Sequence, residues 1–360
     1  MSSNRIPSTA ELSISVIIPV HNGGADFRRC LSSLAEVVPP PCETIIVADG
    51  DTDGSWRLAE GFDARVLRIP EPGGPGRARN LGARAARGDI LFFVDADVAI
   101  RHDATRQIAA VFGRAPELAA VFGSYDDEPA ASNFLSQYRN LLHHYIHQNA
   151  CEEGSTFWGA CGAIRREVFI ELGGFDEGYR QPSIEDIELG YRLKHAGHRI
   201  RLCKTLQVKH LKRWGVVSLV KSDFFHRALP WTELIMRDRR FVNDLNLRLS
   251  SRVSVLSTYG LLGALVAAWW WSGFLALSGL LILLLLVING PLYRFFQRKR
   301  GVRFAIQTIP WHWLYYLYSG LAFAIGVARF PFHRRGSPRS GLPRAPKERS
   351  HAERNRSGAE

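Results

Sequence analysis

The chain has 360 residues, 46% of them hydrophobic and 22% charged, with a formal net charge of +12. That length suits one large or two medium domains. The charge does not point to nucleic acid: residues 291–303 carry five Lys/Arg and no acid, and residues 331–360 carry eight Lys/Arg against three acids, so two stretches supply +10 of the +12. Both flank long apolar segments, and the basic excess reads as facing a membrane surface.

Residues 1–11 read as a disordered leader. The start is polar and the first apolar run is short, so no signal peptide is expected. Ser13 to Val20, SISVIIPV, is β-branched and nearly continuous in apolar character, which predicts a strand buried on both faces. It ends in the turn His21-Asn22-Gly23-Gly24. Phe27, Cys30, Leu31, Leu34 and Val38 follow at helical spacing, and Pro39-Pro40-Pro41 stops that helix. Thr44 to Ala48 is a second strand, ending in Asp49-Gly50-Asp51-Thr52-Asp53-Gly54. Val66 to Ile69 is a short third. Strand, helix, strand, helix, strand is the pattern of a doubly wound sheet.

The run EPGGPGRARNLGARAARG predicts a loop over Pro72 to Gly76 and a helix over Arg77 to Ala86 with a small-residue face. Arg77, Arg79 and Asn80 in its first turn supply donors at a positive dipole end, which suits an anion. Arg84 and Arg87 read as solvated. Next comes GDILFFVDADVAI. Ile90 to Val94 reads as a buried strand of a parallel sheet, and it ends in Asp95-Ala96-Asp97. Ligands bind outside the carboxyl ends of such strands. Two acids there repel and lose solvation unless a cation or donors compensate. A divalent metal holding a phosphorylated ligand is the economical explanation, and a simple helix cap is the alternative. A helix near 104–114 and a strand near 118–123 follow.

His143, His144 and His147 lack matching carboxylates and read as an exposed helix face. In TFWGACGAIRREVFIELGGFDEGY, small residues around Trp158, among them Gly159 and Gly162, suggest close approach of backbone to a ligand. Ser183-Ile184-Glu185-Asp186-Ile187-Glu188 opens the next helix. Asp186 in its first turn is a cap or a general base. His210 ends a strand-like piece at the edge of the expected site. Five cysteines (Cys30, Cys42, Cys151, Cys161, Cys203) without CxxC spacing imply free thiols.

From residue 213 to 252 the chain is amphipathic, equally readable as juxtamembrane helices or as packed surface helices. Residues 253–293 contain no charged residue. As helix they would extend roughly 60 Å, twice a bilayer core of about 30 Å. Two spans fit, near 254–271 and 274–289, with Trp269-Trp270-Trp271 in an aromatic turn at the far interface. The stretch YRFFQRKRGVR then reads as a loop on the basic side. A third apolar segment, 304–328, reads as interfacial or as a third span. Residues 331–360 form a basic, disordered tail.

The ordered set SVIIPVHNGG, VADGDTDGS, GGPGRARNLGA, FFVDADV, GGFDEGY, IEDIELGYRLKHAG and KH resembles the inverting family 2 glycosyltransferases of GT-A fold, over roughly residues 12–212. The C-terminal part resembles membrane anchors of bacterial members. The resemblance implies an α/β fold, the GT-A nucleotide-diphospho-sugar transferase fold with a doubly wound mixed sheet, followed by C-terminal transmembrane helices. The expected parts are a catalytic domain over 12–212, juxtamembrane helices over 213–252 and a membrane region over 253–330.

It also implies roles. Pro19, His21 and Asn22 line the nucleotide pocket. Asp49 recognises the nucleobase. Arg77, Arg79 and Asn80 lie on the nucleotide side, and Asp95 lies near the ribose and donor sugar. Asp97 holds Mg²⁺ or Mn²⁺ on the diphosphate, with His210 beside the metal. Asp186 is the catalytic base, with Glu185 adjacent to it. Trp158 and Gly159 are the expected acceptor side. The family's usual pair of acids is Ala48-Asp49 here, with the first acid lost. His210-Leu211-Lys212-Arg213-Trp214 resembles the QxxRW of processive synthases with His for Gln, but lies close after Asp186, and reads as non-processive.

The implied activity is transfer of a sugar from a nucleotide-sugar donor to a lipid-linked or envelope-glycan acceptor. The expected location is a bacterial-type inner membrane with the catalytic domain facing the cytoplasm. A polyprenyl-phosphate glycosyl synthase is the alternative. A processive synthase and a catalytically dead nucleotide-sugar-binding scaffold rank below it.

Overall fold

The computed structural model describes residues 12–239 and 243–333, so the leader 1–11 and nearly all of the basic tail lie outside the described residues. The elements of the first half are β1 (Ile14–Val20), α1 (Gly24–Ala35), β2 (Glu43–Asp49), α2 (Ser55–Glu60), β3 (Arg65–Ile69), α3 (Pro75–Ala85), β4 (Ile90–Val94), β5 (Val98–Ile100), α4 (Ala104–Arg114) and β6 (Leu118–Tyr125). Then come α5 (Phe134–Gln148), β7 (Cys161–Arg165), α6 (Arg166–Glu171), α7 (Glu185–His195) and β8 (Arg199–His210).

Eight strands form one mixed sheet in the order β3-β2-β1-β4-β7-β6-β8-β5. β3, β2, β1 and β4 run parallel, while β7 is antiparallel to both β4 and β6. The strand carrying the paired acids is therefore parallel to its neighbour on one side only, a correction to the expected parallel setting. The strand order reverses between β1 and β4. That topological switch puts the carboxyl ends of β1, β2 and β4 around one crevice, where ligands of open α/β sheets bind.

β1 and β4 are buried almost throughout, which is why their apolar character is continuous rather than alternating. α3 packs on β1 and β2. Its small-residue face makes this possible: a Cβ at Gly82 would lie 2.5 Å from the Ile17 side chain. Phe93 of β4 packs at 5.2 Å against Phe169 and at 5.1 Å against Phe175, fixing the floor of the crevice.

The second half contains α8 (Val216–Lys221), a π-helical turn over Ser222–Ala228, α9 (Leu229–Asp238), α10 (Leu249–Ala267), α11 (Phe274–Ile288) and α12 (Gly290–His333), which is broken at Gly301. By length and composition α10 could cross a membrane, whereas α11 passes only together with Gly290–Pro331, across a 60° bend. α11 has 15 residues, about 22 Å of helix, which is short of a bilayer core of about 30 Å. Trp269, Trp270 and Trp271 form the turn between α10 and α11 and are exposed by 89%, 77% and 66%.

The basic stretch 294–303 is helical up to Gly301 rather than a loop. Part of it faces protein, not a membrane surface. Lys299 pairs with Asp127, and Arg300 donates to Gln137 Oε1 at 2.7 Å and to the Asp127 carbonyl at 2.8 Å. Leu292, Tyr293 and Phe296 pack with Tyr138, Leu141 and Leu142 of α5. The helical region is thus docked on the α/β domain through both polar and apolar contacts.

Candidate active site

Sequence-distant segments meet at the switch-point crevice. Asp49, at the end of β2, is buried and accepts the Gly73 and Gly74 amides, each at 2.8 Å. His21 donates to the Asp49 carbonyl at 2.7 Å. Asn22, at φ 52°, accepts from the Thr52 and Asp53 amides at 2.8 and 3.1 Å. These bonds hold the rim of the crevice. Asp49 therefore organises the loop before α3, and its carboxylate oxygens are already engaged there. Pro19 is partly buried and Arg77 is exposed.

Arg79 is the hub. Its guanidinium donates to Asp95 Oδ1 at 2.6 Å and to Glu185 Oε1 at 2.8 Å, and it stacks 5.3 Å over Phe175. Burial would favour loss of its proton, but Asp95 and Glu185 hold it firmly charged. Arg79 thus joins α3 to the acid strand and to α7. Asn80 holds a different element: it donates to the Phe175 carbonyl and to Glu177, and accepts the Phe175 amide at 2.8 Å. It pins the GGFDEGY loop. Arg84 is 58% exposed and only loosely paired with Glu177.

Asp97 is 31% exposed, with Lys212 Nζ at 3.8 Å and His210 Nε2 at 4.0 Å from its Oδ2. Withdrawal from water and repulsion from Asp95 push its carboxyl up to about 6, against the attraction of Lys212. His210 is buried and stacked on Tyr125 at 4.4 Å. Burial, then Lys212, lowers its pKa to about 3, so the imidazole is neutral at neutral pH. Among the described residues no group of three or more His, Cys, Asp or Glu is arranged to hold a metal alone. That pattern fits Mg²⁺ or Mn²⁺: such cations take one or two carboxylates and complete their shell with substrate phosphates and water. Asp97, with Asp95 beside it, would supply the carboxylate oxygen, leaving the rest of the shell to substrate and water.

Asp186 and Glu185 are neighbours with different surroundings. Glu185 is buried, and its second oxygen accepts the Ser183 amide at 2.9 Å. It is thus held between Arg79 and the Ser183 amide. Asp186 Oδ2 accepts the Gly159 amide at 2.9 Å, and its carboxyl lines a cavity of about 660 Å³. Burial and the charge of Glu185 push its pKa up to about 6, opposed by the Gly159 amide, Arg79 and Arg227. Gly159 is tightly placed: a Cβ there would lie 3.1 Å from Arg79 Cζ, so the arginine would have to give way slightly. The WGACG segment thus passes close to Arg79.

Trp158 lines the same cavity and is packed edge-on against Tyr125 at 4.9 Å. The histidines of α5 are not an exposed face. His144 and His147 are buried and bonded to the Tyr125 and Gly123 carbonyls at 2.8 and 3.1 Å, while His143 packs on Trp158. The five cysteines are free thiols, as expected. Sequence reasoning missed Tyr125, Arg139, Lys212 and Arg227. Only Lys212 carried a local signal, two residues past His210 at the end of β8.

Residues 15–173 match the model of glycosyl transferase family 2, and residues 141–214 match that of the N-terminal domain of galactosyltransferase. The pre-mycofactocin glycosyltransferase of Mycobacterium tuberculosis is 28% identical over 223 residues, 59% of this chain and 46% of that protein. Glycosyltransferase GlyA of Streptococcus pneumoniae is 37% identical over 258 residues, 69% of this chain and 35% of that protein. The chain thus spans about half or less of these relatives' length. A mannosyltransferase from Pyrobaculum calidifontis, solved with GDP-Man and Mn²⁺, shares the fold over 88% of both chains, with a TM-score of 0.56 at 19% identity.

Proposed function

We propose, from the match of residues 15–173 to the model of glycosyl transferase family 2, that this chain moves a sugar from a nucleotide-sugar donor to an acceptor hydroxyl with inversion. The observation that carries the reading is the split between adjacent acids. Glu185 is tied to Arg79, while Asp186 faces the cavity with a pKa raised to about 6. A carboxylate so poised, close to the working pH, is suited to take the proton of an attacking hydroxyl. The Gly159 amide fixes its orientation. Inversion requires no enzyme nucleophile, only attack on the anomeric carbon from the face opposite the leaving diphosphate.

On the donor side, Asp49 holds the Gly73-Gly74 loop, with Pro19, His21 and Asn22 along the rim and exposed Arg77 available to an anion. Asp95, held by Arg79, is the proposed contact for the ribose and donor sugar. Asp97 and His210 would hold Mg²⁺ or Mn²⁺. When bound, the cation supplies charge compensation to the diphosphate leaving group. GDP-Man and Mn²⁺ in the mannosyltransferase of like fold support this class of donor and metal.

The helices from α10 onward are the proposed anchor in a bacterial-type cell membrane, with the catalytic domain facing the cytoplasm. An acceptor carried on lipid or a growing envelope glycan follows from that placement. The test is nucleotide release from a panel of nucleotide sugars by membranes bearing the chain. Metal-dependent release with one donor, absent from Asp186→Asn membranes, supports the reading; release unaffected by that substitution removes Asp186 as base.

A further inference from the structure

The paired acids Asp95 and Asp97 are compensated by two cations of different kinds. Asp95 Oδ1 meets the Arg79 guanidinium at 2.6 Å, and that arginine is 5% exposed and held on its other arm by Glu185. Asp97 Oδ2 faces the Lys212 ammonium at 3.8 Å, and that side chain is 47% exposed. Among the described residues Lys212 is the only lysine or arginine within ion-pair distance of Asp97. Arg79 is thus a fixed counter-ion, clamped on both arms. Lys212 is an exchangeable one: a half-exposed pair beyond hydrogen-bond length shifts an equilibrium by only about 5-fold or less.

The chain beneath Lys212 does not share this looseness. The His210 carbonyl accepts the Ala130 amide at 3.0 Å, and the Leu211 amide donates to the Asp97 carbonyl at 2.9 Å. On the other side the Trp214 amide donates to Ser136 Oγ and the Trp214 carbonyl accepts from Asn133 Nδ2, each at 2.8 Å. Only the flexible four-carbon stem is free to swing. The ammonium also lies 4.7 Å over the Trp214 ring, an attractive face for a cation that leaves Asp97. The oxygen it faces, Asp97 Oδ2, is also the one that faces His210 Nε2 at 4.0 Å. A divalent cation on that oxygen would lie against the ammonium, and like charges so close repel.

We infer that Lys212 is a built-in competitor for the metal site that becomes a donor-binding group. Lys212 and the divalent cation compete for Asp97, and the displaced ammonium, tethered beside the crevice, neutralises the diphosphate of the donor. A lysine binds phosphate as a point charge, without the fixed geometry of an arginine fork. The inference rests on the transferase reading and adds to it a donor-side residue and a rule of assembly: metal and diphosphate load together, because each removes an obstacle to the other. Arg79 cannot take this part, since its departure would leave buried Glu185 without its cation.

The test uses the full chain in detergent and two titrations. In the first, Mn²⁺ is added alone and its binding is read from the loss of the free-ion EPR signal. Lys212→Gln, with the competitor gone, should bind Mn²⁺ about 3-fold more tightly than wild type, within the range of an exposed ion pair. In the second, UDP, GDP, dTDP and CDP are added at saturating Mn²⁺ and read by thermal stabilisation. The nucleotide that binds wild type should bind Lys212→Gln at least about 5-fold more weakly, through loss of a charge-assisted contact to phosphate. The opposite signs are the signature of exchange; a merely structural role for Lys212 would weaken both. Arg84→Gln, which removes an exposed cation paired with Glu177 instead, should change neither. Mn²⁺ affinity of Lys212→Gln at or below that of wild type, undiminished nucleotide affinity, or the same two changes in Arg84→Gln would each overturn the inference. If wild type binds one nucleotide with Mn²⁺ and only the effects of Lys212→Gln are missing, the inference alone fails. If wild type binds none of the four, the transferase reading fails with it.

Discussion

Arg79 of α3 and Glu185 of α7, 106 residues apart in sequence, form a buried ion pair at 2.8 Å. The pair ties α3 to the helix that carries Asp186. It also gives two adjacent acids different surroundings: one is anchored, and its neighbour faces the cavity.

Arg79→Met should leave Glu185 buried and unpaired. Breaking such a pair from one side costs about 3–5 kcal/mol. Thermal unfolding of the detergent-solubilised variant should show a large loss of stability, which Glu185→Gln, retaining a hydrogen-bond acceptor for Arg79, should only partly reproduce. Equal stability of Arg79→Met and wild type would contradict the role of the pair.

Asp186→Asn should keep nucleotide binding and lose turnover by roughly 10²–10⁴-fold, the usual contribution of a general base. Glu185→Gln should retain far more activity than Asp186→Asn. Steady-state rates of the two variants, measured with the same donor, decide between the neighbours.

Asp186 also sets a pH dependence. Its folded-state pKa is raised to about 6, above the unfolded value near 3.9. The native state therefore holds the extra proton, and its contribution to stability is present at low pH and lost as pH rises through about 6. Asp186→Asn should raise the melting temperature at pH 7.5, by an amount that shrinks towards pH 5. The rate should change in the opposite sense, with kcat/KM climbing through about pH 6 as the base ionises. A flat stability difference between pH 5 and 7.5 would contradict the assignment.

Gly159→Ala tests the support of the base. The new methyl would sit 3.1 Å from Arg79 Cζ, and relief must move either the arginine or the Gly159 amide that holds Asp186. Overpacking of this kind costs about 1–3 kcal/mol. The expected result is a fall in kcat with little change in donor KM. A change in donor KM alone would place the effect on Arg79 and the donor side instead.

Much of this fold is legible in the sequence because the relevant signals are local. The runs of β1, β2 and β4, the helical spacing of α1, and α4 at 104–114 were all readable from periodicity. The acids after β4 stood out because charge at a strand end demands compensation. What stayed hidden was pairing across long separations. Nothing near Arg79 announces Glu185, and nothing near Asn80 announces the loop at Phe175. The histidines of α5 read as exposed because the surfaces that cover them, Tyr125 and Trp158, come from other segments. Likewise Lys299 and Arg300 read as membrane-facing cations, since their partners Asp127 and Gln137 lie far away in the chain. The cavity shared by α7 and α10 exists only once the helices dock.

The most direct measurement is thermal stabilisation of the detergent-solubilised full chain by UDP, GDP, dTDP and CDP, each with and without Mn²⁺. A ligand that binds only the native state raises its stability by mass action, by about 2.7 kcal/mol at 100 times its Kd. The reading of Asp97 as metal ligand and Asp186 as base predicts a manganese-dependent shift with one nucleotide, lost in Asp97→Ala and kept in Asp186→Asn. No shift with any nucleotide from folded protein, or a shift untouched by Asp97→Ala, would contradict it.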